Sequence, residues 1–162
     1  MCHQESGLSW LIIIFVVALA LAPLSHFVPS KRQREVARMR ERAAVSGLFV
    51  EFRPVPGEDR VGPAERAAWG DVIYYGKRLP PARSGARSKA TWIRRNDGWA
   101  SIGQHHNLPD SLGPLPGAII GASVDDGSCG IYWGERVPEG QGESMVDEIC
   151  RALEAWSTAL AE

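Results

Sequence analysis

Four side chains in this 162-residue chain form the one candidate set for catalysis or metal binding: His105, His106, Asp110 and Cys129. A thiolate beside a histidine base is a nucleophile, and imidazoles with a carboxylate and a thiolate bind divalent metals. Their spacing argues against both uses. Metal sites need three or four ligands, and the chain has no Cys-x-x-Cys or His-Glu-x-x-His pattern. Cys129 stands among Asp125, Asp126 and Glu135, an acidic setting that raises a thiol pKa, whereas reactive cysteines occupy electropositive ones. Gly140-Gln141-Gly142 and the stretch Gly117 to Gly121 match neither glycine-rich phosphate-binding signature. These residues read as two solvated loop histidines and an unreactive thiol just after a turn, at the start of a strand. The expectation is no metal and no cofactor, and a non-enzymatic protein. A tethered enzyme using the His105-His106 loop, with Asp110 and Cys129 converging on it, is the alternative.

The second constellation is cationic. Residues 31–95 hold 16 basic and 7 acidic side chains, and residues 125–162 hold 2 and 9, although the whole chain carries only −1. One cluster is Lys31, Arg32, Arg34, Arg38, Arg40 and Arg42. Another is Lys77, Arg78, Arg83, Arg87 and Lys89, with Arg94 and Arg95 beyond it and Tyr74, Tyr75, Trp92 and Trp99 interleaved. Cations with aromatic rings suit phosphate contact and stacking, as at an anionic lipid surface or on nucleic acid. The nucleic-acid motif signatures are missing, which favours lipid. A third use is pairing with the acidic C-terminal helix, within the fold or in a protein partner.

Leu8 to Val28 sets where this chemistry is placed. No charged residue occurs from Ser6 to Ser30. Twenty-one residues in a helix span about 31 Å, enough for a hydrocarbon core of about 30 Å. Trp10 and Phe27 suit the two interfaces, and Pro23 is a kink that membrane helices tolerate. The first ten residues lack the basic n-region of a cleavable signal. Positive charge follows the span, so the expected topology is single-pass in a cell inner membrane, with the N-terminus outside and the C-terminal domain cytoplasmic. Three widely spaced cysteines agree with a reducing compartment. The resulting plan is an extracytoplasmic N-terminus over 1–7, a transmembrane helix over 8–28, a basic juxtamembrane helix over 29–47 and an α+β domain over 48–162.

Ser30 suits the N-cap of the basic helix and Gly47 its left-handed C-terminus. Val36, Met39, Ala43 and Leu48 give that helix a thin apolar stripe. Alternation then predicts a strand with Leu48, Val50 and Phe52 facing inward, and Val72 to Tyr75 a second. Asn96-Asp97-Gly98 predicts a hairpin between 91–95 and 99–102, and Asp125 to Ser128 a four-residue loop between 118–124 and 129–133. Ser144 with Asp147 resembles a capping box for a last helix whose stripe is Met145, Ile149, Leu153, Trp156 and Leu160, with Asp147 and Arg151 pairing four residues apart on its outer face. The fold class is therefore α+β. A small, mostly antiparallel sheet of five or six strands should bury one face against the C-terminal amphipathic helix. Residues 79–89 and the Gly- and Pro-rich 103–117 read as loops.

The arrangement of residues 8–42, with Pro29-Ser30-Lys31-Arg32-Gln33-Arg34 after the apolar run, resembles the YajC-like accessory subunit of the bacterial preprotein translocase. That resemblance implies an N-out membrane helix, a Pro-and-basic stretch and a small β-rich cytoplasmic domain. The chain also looks like uncharacterised single-pass inner-membrane proteins of Gram-negative bacteria. The expected function is protein binding by the membrane-anchored domain, in an accessory role, with the lipid bilayer as second partner.

Overall fold

The computed structural model describes residues 4–21, 29–81, 87–95 and 98–161. Pro23, Phe27, Arg83 and the Asn96-Asp97 turn lie outside the described residues. The chain divides into two compact units, Met1–Arg34 and Glu35–Glu162.

In the first unit, α1 spans Gln4–Leu21. From Trp10 to Leu21 its large apolar side chains are 49–66% exposed, on every side of the helix. Among the described residues no helix is long and apolar enough to cross a membrane. The expected span was 8–28, and its last seven residues, 22–28, are outside the described residues. The helix α2, Lys31–Val45, opens on a reciprocal cap. The Ser30 amide donates to Gln33 Oε1 at 2.8 Å, and the Gln33 amide to Ser30 Oγ at 3.2 Å.

The second unit is built on a six-stranded, wholly antiparallel sheet in the order β1-β2-β6-β5-β3-β4. Its strands are β1 (Phe49–Glu51), β2 (Ile73–Arg78), β3 (Ala90–Arg95), β4 (Gly98–Ser101), β5 (Ile119–Val124) and β6 (Ser128–Trp133). A short helix α3, Pro63–Trp69, and a long helix α4, Gly142–Ala159, complete it. Both expected hairpins pair: Arg95 with Gly98, and Val124 with Cys129 across the Asp125–Ser128 loop.

Side chains alternate across the sheet, as a pleated strand requires. Ile73, Tyr75, Trp92, Ile131 and Trp133 point into a first core shared with Ile149, Leu153 and Trp156 of α4. Tyr74, Ile93 and Tyr132 point the other way, into a second core closed by Val55 and Val61 with Trp69 and Val72 at its edge. The sheet thus buries two faces, not one. The segment between β1 and β2, including α3, lies over the second.

Four further expectations are corrected. The basic helix does not stand apart from the domain: Met39 and Ala43 are fully buried in the first core, because the thin apolar stripe docks there. Gly47, at φ 78°, ends this helix with Leu48 N–H bonded to Ala43 C=O and Gly47 N–H to Ala44 C=O, each at 3.0 Å. Phe52 is not inward: β1 stops at Glu51 and Phe52 is 74% exposed. Ser144 and Asp147 form no capping box, since α4 begins at Gly142 and Ser144 Oγ instead donates to Gln141 C=O at 2.9 Å. Residues 103–117 are also more than a loop. Leu112 and Leu115 are buried in the first core, and the 3-10 turn Asp110–Leu112 packs against α4.

Glycine is required where β6 passes under Tyr74. A Cβ on Gly130 would lie 2.4 Å from both Tyr74 Cζ and the Tyr75 carbonyl oxygen, whereas one on Gly117 meets nothing within 4 Å. Gly130→Ala should therefore cost about 3 kcal/mol, while Gly117→Ala stays within about 0.5 kcal/mol of the parent. Paired urea melts of the two variants check this; equal midpoints would contradict the packing described.

Candidate functional site

The most heavily buried charge in the domain is Glu135, 5% exposed and just beyond β6. Arg40 of α2 meets its carboxylate in a two-pronged pair, Nε to Oε1 at 2.9 Å and Nη2 to Oε2 at 2.7 Å. The Tyr75 hydroxyl donates to the same Oε1 at 2.8 Å. Burial, together with the adjacent carboxylate, raises the Tyr75 hydroxyl above its ordinary value, so it stays a donor. Two residues further along α2, Arg42 makes a second two-pronged pair with Asp147 of α4, at 2.8 and 3.1 Å. Asp147 was expected to pair with Arg151, which bonds its backbone carbonyl instead.

The second basic cluster is engaged in the same way. Lys77 pairs with Glu154 of α4, and Lys89 with Asp126 at 3.2 Å. Arg87 donates to the carbonyls of Pro80, Asp126 and Leu160. Arg78 lies over the Phe49 ring at 5.2 Å. Of the cations expected at an anionic surface, Arg40, Arg42, Lys77, Arg87 and Lys89 are thus bonded within the fold and Arg78 is stacked. Lys31, Arg32, Arg34 and Arg38 are exposed on α2.

The four chemically competent side chains are not brought together. Cys129 is fully buried in the first core, and burial pushes its thiol up to about 12. His105 and Asp110 are exposed. His106 packs edge-on to Trp92 at 6.5 Å and accepts the Trp92 indole N–H on its carbonyl at 3.1 Å, so it fastens the 103–117 segment to β3. Among the described residues no group of three or more His, Cys, Asp or Glu side chains is placed to hold a metal ion. The structure therefore gives no support to the enzyme alternative built on this loop.

Two clefts are open. One, about 400 Å³, lies between Ser111, Pro114 and Leu115 and the Glu148, Arg151 and Ala152 side of α4. The other, about 340 Å³, is bounded by Phe52, Arg53, Val55, Arg66, Trp69 and Val72. It borders β1, an edge of the sheet, and α3 supplies Arg66 and Trp69 to it. Arg53 is fixed over the Tyr74 ring at 4.4 Å and reaches Glu51 at 3.2 Å and Asp125 at 3.4 Å. Asp125 also accepts the amides of Gly127 and Ser128, at 2.9 and 2.7 Å. Burial opposes its ionisation, but these amides, the Ser128 hydroxyl and Arg53 outweigh it and hold the carboxyl below its ordinary value. A cleft that mixes the Phe52 and Trp69 rings with the charges of Arg53, Glu58, Arg66 and Asp71, beside an open strand edge, suits an extended peptide segment. Residue-level reasoning missed Arg66 and Trp69. The signal was Gly62-Pro63, proline being favoured at the first position of a helix.

No protein-family model, curated protein or solved structure matches this chain.

Two outcomes follow. Glu135→Ala leaves Arg40 and the Tyr75 hydroxyl without their acceptor and should cost about 2 kcal/mol, less than a fully buried pair because the Arg40 side chain is 38% exposed. A double-mutant cycle with Arg40→Met should return a coupling of about 1 kcal/mol or more. Cys129 should resist alkylation in the folded protein and react only on unfolding; rapid labelling under native conditions would contradict its burial. Asp125 adds a pH term. Its depressed pKa means its stabilisation is complete above the ordinary carboxyl value of about 4 and is lost as pH falls through the depressed value. Asp125→Asn should therefore flatten that part of the acid-stability curve.

Proposed function

We propose that this chain is a single-pass membrane-anchored protein whose α+β domain docks a protein partner, as an accessory subunit of an inner-membrane complex. The observation that carries the anchor is α1, apolar on all sides with its large side chains 49–66% exposed from Trp10 to Leu21. A helix of that kind is stable buried in lipid or in a large apolar core. The uncharged residues 22–28 extend the same run to the length of a bilayer, and Pro23 and Phe27 belong to that extension. The cations after the run orient it with the domain on the cytoplasmic side. The likeness of residues 8–42 to the YajC-like translocase subunit points the same way.

Docking is supported by the cleft beside β1. Phe52, 74% exposed, stands at its rim with the Arg40 guanidinium over the ring at 5.7 Å. Exposed aromatic side chains next to arginine are the residue types enriched where protein partners anchor. The edge strand supplies a line for a partner backbone and the cleft a place for one of its side chains.

The test is purification of the full chain from membranes in mild detergent. The chain should resist alkaline extraction, and a stoichiometric partner should accompany the wild type and be reduced at least tenfold with Phe52→Asp. Release by alkali would refute the anchor. A partner held equally by the variant would refute the cleft.

A further inference from the structure

The cations of α2 fall into two groups with different surroundings. Arg40 and Arg42 each present a guanidinium to a carboxylate, at 2.7–2.9 Å and 2.8–3.1 Å. Lys31 and Arg34, in the first turn, are exposed, and neither makes an ion pair among the described residues. Arg32 between them is exposed as well. The first turn of α2 contains no acid. Helix N-termini favour anions, so a turn opening Lys31-Arg32 and continuing to Arg34 works against its own dipole. The Ser30–Gln33 cap supplies neutral oxygens only. Side chains on a helix lean toward its N-terminus, so Lys31 and Arg34 reach back toward Ser30, the end of the helix that follows the apolar run.

We infer that Lys31 and Arg34 bind the phosphates of anionic phospholipid headgroups. The inference rests on the membrane-anchored reading and deepens it, assigning the anchor a preference among lipids. The apolar helix in the same unit brings the first turn of α2 to headgroup level. The charge supplied there is positive and accessible, and no acid of that turn competes for it. Lys77, Arg78, Arg87 and Lys89 of the second cluster are not part of the site, because the fold already engages them.

The test is native mass spectrometry of the detergent-solubilised full chain, titrated separately with dioleoylphosphatidylglycerol and dioleoylphosphatidylcholine. The wild type should retain the glycerol lipid in preference. Lys31→Gln/Arg34→Gln should weaken that retention about tenfold or more, since each cation near an anionic surface contributes roughly a fivefold factor. Phosphatidylcholine retention should be unchanged, and so should resistance to alkaline extraction. Equal retention of the two lipids by the wild type, or an unchanged preference in the double variant, would overturn the inference while leaving the anchor intact. Loss of alkaline resistance by the wild type would overturn both. Binding of a single-stranded oligonucleotide that depends on Lys31 and Arg34, without a lipid preference, would assign the cations to nucleic acid instead.

Discussion

Glu135 is the point on which the domain's assembly turns. A carboxylate that is 5% exposed survives only if its oxygens are filled, and here they are filled from two directions. Arg40, 95 residues upstream, arrives from α2, and Tyr75, 60 residues upstream, from β2. The pair therefore fixes where α2 docks along the sheet. Glu135 also has a φ of 50°, a conformation that side chains other than glycine adopt at a cost. A short turn that both bends the chain and presents a charge is disfavoured twice over. It persists because Met39 and Ala43, on the same helix as Arg40, bury apolar surface in the first core. Hydrophobic burial supplies the stability, and the charge pair supplies the register.

The second face of the sheet obeys a different constraint. It has no long helix to cover it, so a tyrosine lies over the strands. Tyr74 rests above Gly76 and Gly130, both of which would clash with it if they carried a Cβ, and Arg53 closes the stack from above at 4.4 Å. Tyr132 packs beside it with ring centres 4.9 Å apart, its hydroxyl against Ser123 Oγ at 3.2 Å. Each of β2 and β6 carries both a glycine and a tyrosine on this face, and together they fill a thin layer at high density. The β-bulge between Ile119 and Gly121 belongs to the same economy. It resets the alternation of β5 so that Ile119 and Ala122, three residues apart, both reach the first core.

What the sequence made legible was local. Both hairpins, the Gly47 stop and the Ser30 cap rest on chemistry within a few residues, and each appears where turn and cap rules put it. The α+β class and a C-terminal helix with Ile149, Leu153 and Trp156 inward follow from periodicity alone. Apart from the Ser144–Asp147 cap, the misreadings are decided at long range. Phe52 continues the inward alternation of Leu48 and Val50, yet pairing with β2 ends one residue earlier. Residues 103–117 have the Gly and Pro content of a free loop, but Trp92 and Arg94 capture the carbonyls of His106, Leu115 and Pro116 and hold it against the core. Asp147 looked like the partner of Arg151 on its own helix. Arg42, 105 residues away in sequence, reaches its carboxylate first. No local rule contains that information.

The charge asymmetry of the chain has the same origin. A basic half and an acidic half invite the idea of an external polyanion, and the fold answers much of it internally: α2 against α4 and the end of β6, Lys77 against Glu154, Lys89 against Asp126. Arg40–Glu135 apart, pairs of this kind at the surface add at most about 1 kcal/mol each. Their value is in orientation, because each joins segments distant in sequence and penalises any packing that separates them. It follows that counting cations along the chain overstates the charge available to a ligand. Two features lie apart from this internal pairing of charge: an exposed Phe52 beside a cleft with Trp69, and the exposed Lys31 and Arg34 in the first turn of α2. Each breaks a rule that governs the rest of the molecule, an apolar ring in water and cations at the wrong end of a helix dipole. Such departures are expected where a partner, rather than the fold, sets the residue.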